Sequence, residues 1–295
     1  MGATGVLPCP APNGWLAWMD RGVPSTATPH EVLAMPTPRA RRPLLATAVA
    51  TLLAVIVAVP VGAATRPISE RVSPTPLRGI VIALDPGHNG GNASHTAEIA
   101  RRVWIGTMWK PCNQTGTSTK AGYAEHRFNL LVSQGVKRRL EDLGATVHMT
   151  RTTNDGWGPC VDVRGKFGAK VKAALLVSIH ADGATSSARG FHILKPASIV
   201  GWTDDIVTAS SRLATAMRTG MRSAGIPQAN YYTTTGIKTR RDLGTLNHAD
   251  VPAILLECGN MKNSTDAARM TSSDGRAKYA DGIVAGILEY FGKRP

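Results

Sequence analysis

His88, Glu125 and His180 are the residue types from which a catalytic zinc site is built: two imidazoles and a carboxylate, with a fourth position left open for water. His88 follows an apolar run that ends in Asp85-Pro86-Gly87, His180 closes the run Leu175–Ile179, and Glu125 opens a long amphipathic stretch. Gly87, Gly90 and Gly91 around His88 are expected to let the backbone turn tightly, so that the imidazole reaches inward from its loop. Each residue alone has an ordinary explanation. A Glu at a helix start favours the helix dipole, and a His after a strand is often a part-buried packing residue. His95, His126, His192 and His248 also compete as ligands, and His126, adjacent to Glu125, is the strongest rival. Glu257 is a fourth candidate, because a carboxyl inside the apolar run Ile254–Cys258 is costly unless it is paired or functional.

The elements that must position these groups follow from the periodicity. Gly79–Leu84, Thr146–Arg151, Ala174–Ala181, Gly190–Leu194 and Pro252–Cys258 read as strands. Glu125–Leu143, Val161–Ala173, Thr203–Ala224 and Tyr279–Phe291 read as helices. This alternation predicts an α/β fold, a sheet flanked by helices. In such sheets the groups that do chemistry stand just beyond the carboxyl ends of the strands, where His88, His180 and Glu257 fall. The stretch from Phe191 to Thr203 is too short for a helical insert that plugs the cleft, so an open site is expected.

Upstream, Arg39, Arg41 and Arg42 precede the uncharged stretch Pro43–Ala64, which is apolar or small through Leu44–Val59 and ends in Gly62-Ala63-Ala64. This is the layout of a signal peptide, with residues 1–64 as leader and residues 1–34 a candidate start-site artefact ahead of Met35. Retention of the apolar stretch as an anchor is the competing reading. Residues 65–78, rich in Pro and Ser, read as a linker, and the folded domain is expected over 79–293. A secreted protein, in the periplasm or cell wall with no membrane anchor after cleavage, then places Cys112, Cys160 and Cys258 in an oxidising compartment. Cys112 and Cys160 both follow a Pro in turn-like loops and are the expected disulfide, with Cys258 a buried thiol.

The 295 residues carry a formal net charge of +14, and removing a leader with four Arg against Asp20 and Glu31 leaves +12. Nucleic acid is not the expected partner, since the cations are scattered, the longest basic run is Lys238-Thr239-Arg240-Arg241, and aromatic residues for base stacking are few. An anionic wall polymer suits an exported cationic protein better.

The segments IVIALDPGHNGGN, EHRFNLLVSQGVKRRLEDLGATVHMTR, LLVSIHADG and PAILLECGNMKNSTDA resemble the successive motifs of the zinc-dependent N-acetylmuramoyl-L-alanine amidases of the type 3 family. The resemblance covers nearly all of residues 79–293 and implies a single domain with a twisted, mostly parallel sheet. It implies one Zn2+ per chain on His88, Glu125 and His180, Glu257 as the catalytic carboxylate, and peptidoglycan or muropeptide fragments as substrate, with the chain expected to be a monomer. The implied reaction cuts the amide between the lactyl group of N-acetylmuramic acid and L-alanine. A zinc peptidase acting within the stem peptide and a non-catalytic wall-binding regulator are the alternatives. The gap between His88 and Glu125 is longer than the family pattern and reads as a cleft-rim loop, residues 92–124, tied down by the disulfide. No wall-binding repeat is visible, so attachment to the wall is expected to use the domain's own cationic surface.

Overall fold

The computed structural model describes residues 75–294, so the leader and most of the linker lie outside it. Its elements in chain order are β1 (Val81–Pro86), a 3-10 turn (Gly90–Ser94), α1 (Thr96–Ala100), β2 (Arg102–Trp104), β3 (Trp109–Pro111), α2 (Glu125–Asp142), β4 (Thr146–Met149) and α3 (Val161–Lys170). There follow β5 (Leu176–Asp182), β6 (His192–Pro196), α4 (Val207–Ser223), β7 (Ile237–Arg240), α5 (Gly244–Asn247), β8 (Ala253–Asn260), α6 (Ser264–Thr271) and α7 (Ser273–Tyr290). The main sheet has the order β4-β1-β5-β8-β6-β7. The first four strands run parallel, and β6 turns antiparallel to β8 while pairing parallel with β7. The expected mostly parallel α/β sheet is therefore what forms.

Both faces of this sheet are covered, which is why its strands are nearly continuous apolar runs. Ile82, Leu84, Val177, Ile179, Ile254 and Leu256 face α2, α4 and α7. Helix α2 meets them with Phe128, Val132, Val136 and Leu140, a four-residue spacing that lines up one side of the helix. The opposite face, with Ala83, Leu176, Leu194 and Leu255, packs under the shorter α3 and α5. Alternation then puts Asp85, Ser178, His180, His192 and Glu257 on that second face, toward the strand ends.

Some boundaries differ from expectation. Leu77, read as linker, is fully buried and its N–H donates to Leu143 O at 3.0 Å, so the folded domain already includes it. Helix α7 starts at Ser273, capped by the Ser272 side chain, because its first turn is polar and carries no apolar period. Residues 92–124 are more than a loop: they hold α1 and the β2–β3 hairpin. Strand β7 coincides with the basic run Lys238–Arg240, whose polar side chains at a sheet edge hide its strand character.

Candidate active site

The loop after β1, the start of α2 and strand β5 converge at one point. The ligating atoms of His88, Glu125 and His180 all lie within 4.8 Å of one another. Glu125 Oε1 is 3.1 Å from His88 Nε2 and 3.0 Å from His180 Nδ1. Zinc–ligand bonds of about 2.0–2.1 Å at tetrahedral angles separate neighbouring donors by roughly 3.3 Å, which the two Glu125–imidazole distances approach. The hydrogen bonding supports the same fit. His88 Nδ1 donates to Gln114 O at 2.8 Å, which in the neutral ring leaves the Nε2 lone pair facing a carboxylate oxygen. Two acceptors in that position need a proton or a metal cation between them; burial works against a charged His88 ring, but Glu125 outweighs it and raises the imidazole's pKa.

Each ligand candidate is held from behind. Glu125 is buried, accepts from Thr117 N at 2.9 Å and Ala181 N at 3.2 Å, and receives Asn129 Nδ2 from one turn further along α2 at 3.3 Å. Burial works against its charged form, but the imidazoles of His88 and His180 outweigh it and hold the carboxyl well below the usual range. For His180 burial dominates and lowers the imidazole's pKa, which favours the neutral, ligating form. His126, the rival, bonds Asn154 Oδ1 through Nδ1 at 3.0 Å and is not part of the cluster.

The glycines near His88 have a different role from the one expected. The left-handed backbone is at His88 itself, with φ 57°. Gly87 is there for space, since a Cβ on it would meet the His180 ring at 2.2 Å. The His88 conformation is held by two buried arginines that nothing in the sequence pattern singled out. Arg164 donates to Pro86 O, His88 O and Gly158 O, each at 2.8 Å, and pairs with the buried Asp85 at 2.5 Å. Arg151 donates to Pro86 O and Gly87 O at 3.0 Å and to His126 O at 2.7 Å.

Glu257 stands on β8 as the direct register partner of His180 on one side and of His192 on the other. Its Oε2 is sealed from solvent without a hydrogen-bond partner among the described residues. Burial pushes its carboxyl well above the usual range, Glu125 and Asp182 add to this, and Arg240 opposes it. His192, a weak ligand candidate, is buried beside Tyr231 and Tyr232 instead, and burial lowers its pKa to about 4. His248 Nε2 donates to Trp104 O and His95 stacks on Trp157, both away from the cluster. A cleft of about 160 Å³ opens beside the triad, with Lys110, Gln114, Asp242 and Thr245 among its lining residues. Residues 197–206 form turns only, as an open site requires.

The Cys112–Cys160 disulfide is present and Cys258 is a buried free thiol. Residues 82–289 match the family model described as N-acetylmuramoyl-L-alanine amidase. The chain belongs to this amidase family. It is 41% identical to the N-acetylmuramoyl-L-alanine amidase Rv3717 of Mycobacterium tuberculosis, over 80% of this chain and 96% of that protein. The crystal structure of the N-acetylmuramyl-L-alanine amidase Ami1 from Mycobacterium smegmatis superimposes with a TM-score of 0.69 at 40% identity, covering 73% of this amidase and 98% of that chain. The apo form of Ami1 from Mycobacterium abscessus gives the same TM-score at 38% identity, covering 73% and 100%. The His-Glu-His cluster of this amidase is a candidate metal site, consistent with the metal binding typical of its family.

Proposed function

We propose that this protein is an exported, zinc-dependent amidase that hydrolyses the bond between the lactyl carbonyl of N-acetylmuramic acid and the L-alanine nitrogen of peptidoglycan. The observation that carries the reading is the row formed by the His88, Glu125 and His180 donors with Glu257 in register beside His180. When bound, zinc supplies Lewis acidity for the amide carbonyl and makes water nucleophilic near neutral pH. His88, Glu125 and His180 would hold it, with Arg164 and Arg151 fixing the backbone that presents His88.

Glu257 is assigned the proton. It takes one from the attacking water and returns it to the departing L-alanine nitrogen, because an amine leaves an acyl carbon only when protonated. Its setting suits both directions: burial and two carboxylates raise its proton affinity, while a cation held by the triad lowers it. Export is supported by the leader pattern of residues 35–64 and by the disulfide. The +12 surplus after the leader supports attachment to the anionic wall.

The test is mass spectrometry of the fragments released from defined muropeptides by the zinc-loaded protein. A free lactyl carboxyl and an intact peptide starting at L-alanine are expected. Cleavage inside the stem peptide would make it a peptidase, and no cleavage with zinc bound would make it a non-catalytic wall protein.

A further inference from the structure

We infer that the outer face of the β2–β3 hairpin is a stacking platform for the sugar chain of peptidoglycan, extending the active-site cleft by one or two sugar units. The inference rests on the amidase reading, which places a glycan strand next to the triad. Trp104 and Trp109 are direct partners across the hairpin, so both rings stand on one face, with Arg102 and Pro111 as the adjacent pair. The inner face carries Val103 and, just beyond the strand, Ile105, buried against the disulfide. The outer face leaves Trp104 43% and Trp109 54% exposed, with Met108 at the tip 38% exposed. A solvated hairpin face normally carries polar side chains, and a cluster of exposed aromatic surface marks a contact site.

Three observations identify the occupant. The stripe reaches the catalytic cleft through Pro111, which stands on the Trp face of the hairpin and lines the same cavity as His88 and His180. Pro111 is two positions along the strand from Trp109, roughly 7 Å, so a polymer leaving the cleft along β3 reaches the indoles. Of the four side chains in these two cross-strand pairs, two are indoles and one, Arg102, is charged, which suits the C–H faces of pyranose rings, whereas an anionic stem peptide calls for a more cationic surface.

The hairpin is also fixed in place. Trp104 O is bonded by His248 Nε2 at 3.0 Å, Ile105 O by Asn247 Nδ2 at 2.8 Å, and Thr107 Oγ1 donates to Arg241 O at 2.7 Å. The disulfide anchors its far end. A platform held this way loses little conformational freedom on binding.

A cross-strand Trp pair can also act only as a hairpin stabiliser, and the experiment separates the two roles. Full-length protein, Trp109→Ala, Trp109→Tyr and Trp104→Ala are titrated calorimetrically with a peptide-free tetrasaccharide of N-acetylglucosamine and N-acetylmuramic acid. The same proteins are assayed on a single N-acetylmuramoyl dipeptide and on polymeric peptidoglycan. Binding of the tetrasaccharide should weaken about ten-fold in each Ala variant and recover in Trp109→Tyr. Turnover of polymer should fall by about the same factor while turnover of the small substrate stays unchanged. Equal tetrasaccharide affinity in wild type and Ala variants, or no binding to wild type, overturns the platform. Loss of activity on the small substrate in proportion to a lowered melting temperature leaves only the stabilising role. If wild type fails on the small substrate yet shows the Trp-dependent tetrasaccharide binding, the amidase reading fails and the platform stands.

Discussion

Arg164 Nη2 donates to His88 O at 2.8 Å, and His88 is the residue held at φ 57° at the end of β1. A non-glycine residue in the left-handed region stays there only when its surroundings over-determine it. Arg164 therefore acts on the metal site without supplying a ligand atom.

Replacing Arg164 by Lys should expose that dependence. The ammonium keeps the charge but cannot reproduce the guanidinium fork that reaches Asp85, Pro86 O, His88 O and Gly158 O together. Zinc affinity should fall by about 10–100-fold although all three donors remain. Competition with a chelator of known affinity measures it, and an unchanged affinity would show that the His88 loop holds itself.

The partner of this arginine makes stability sensitive to acid. Burial opposes the charged form of Asp85, but Arg164 and the hydroxyls of Thr150 and Ser178 outweigh it and lower its pKa. A carboxyl whose pKa is lower in the folded state contributes stability that is fully present above its unfolded value of about 3.9 and is lost as pH falls through the folded value. Asp85→Asn should therefore cost about 3–5 kcal/mol at neutral pH, by leaving Arg164 buried without its partner, and should flatten the acid limb of the stability curve. Denaturant titrations at pH 7 and pH 3 check both. Parallel curves for the two proteins across that range would remove Asp85 as the acid-sensitive group.

The disulfide closes a sequence separation of 48 residues and ties the start of α3 to the base of the β2–β3 hairpin. Breaking it in a Cys112→Ser, Cys160→Ser double variant should cost roughly 3–4 kcal/mol, chiefly by freeing the unfolded chain. The Tm of the zinc-loaded protein, with and without reductant, measures this. Neither cysteine is among the triad donors, so zinc content should persist.

The sequence shows His88, His180 and Glu257 because each interrupts or follows an apolar run, and such runs are what a sheet of this kind writes into its strands, whereas Glu125 only opens an amphipathic stretch. Asp85, Arg151 and Arg164 were not legible as a group. An arginine buried by pairing with residues 79 positions away looks, in sequence, like any helix-surface arginine. The β2–β3 hairpin was hidden for a related reason: its strands have three residues each and reverse the usual pattern, with Trp outward and Val103 inward. The choice of Glu125 over His126 came from the family resemblance and not from the residue pattern, because two neighbouring side chains on a helix differ in direction by about 100° and packing decides which one faces the site.

Glu257 gives the sharpest separation of chemistry from metal binding. Its carboxylate is next to His180 in register but is not among the clustered donors, so Glu257→Gln should keep zinc. The substitution is nearly isosteric, and since Oε2 has no partner among the described residues, no hydrogen bond of the resting protein is lost there. What disappears is the ability to take and return a proton. General acid–base groups contribute about 10²–10⁴-fold, and one residue serving as both base and acid should lose toward the upper end. KM should change little, because the amide side chain still fills the same space. The measurement is paired: zinc per chain by atomic emission, and kcat and KM for amide cleavage of a muramoyl peptide by chromatography. A variant that loses its zinc makes Glu257 a ligand, and one that retains both zinc and kcat moves the proton transfer to another residue.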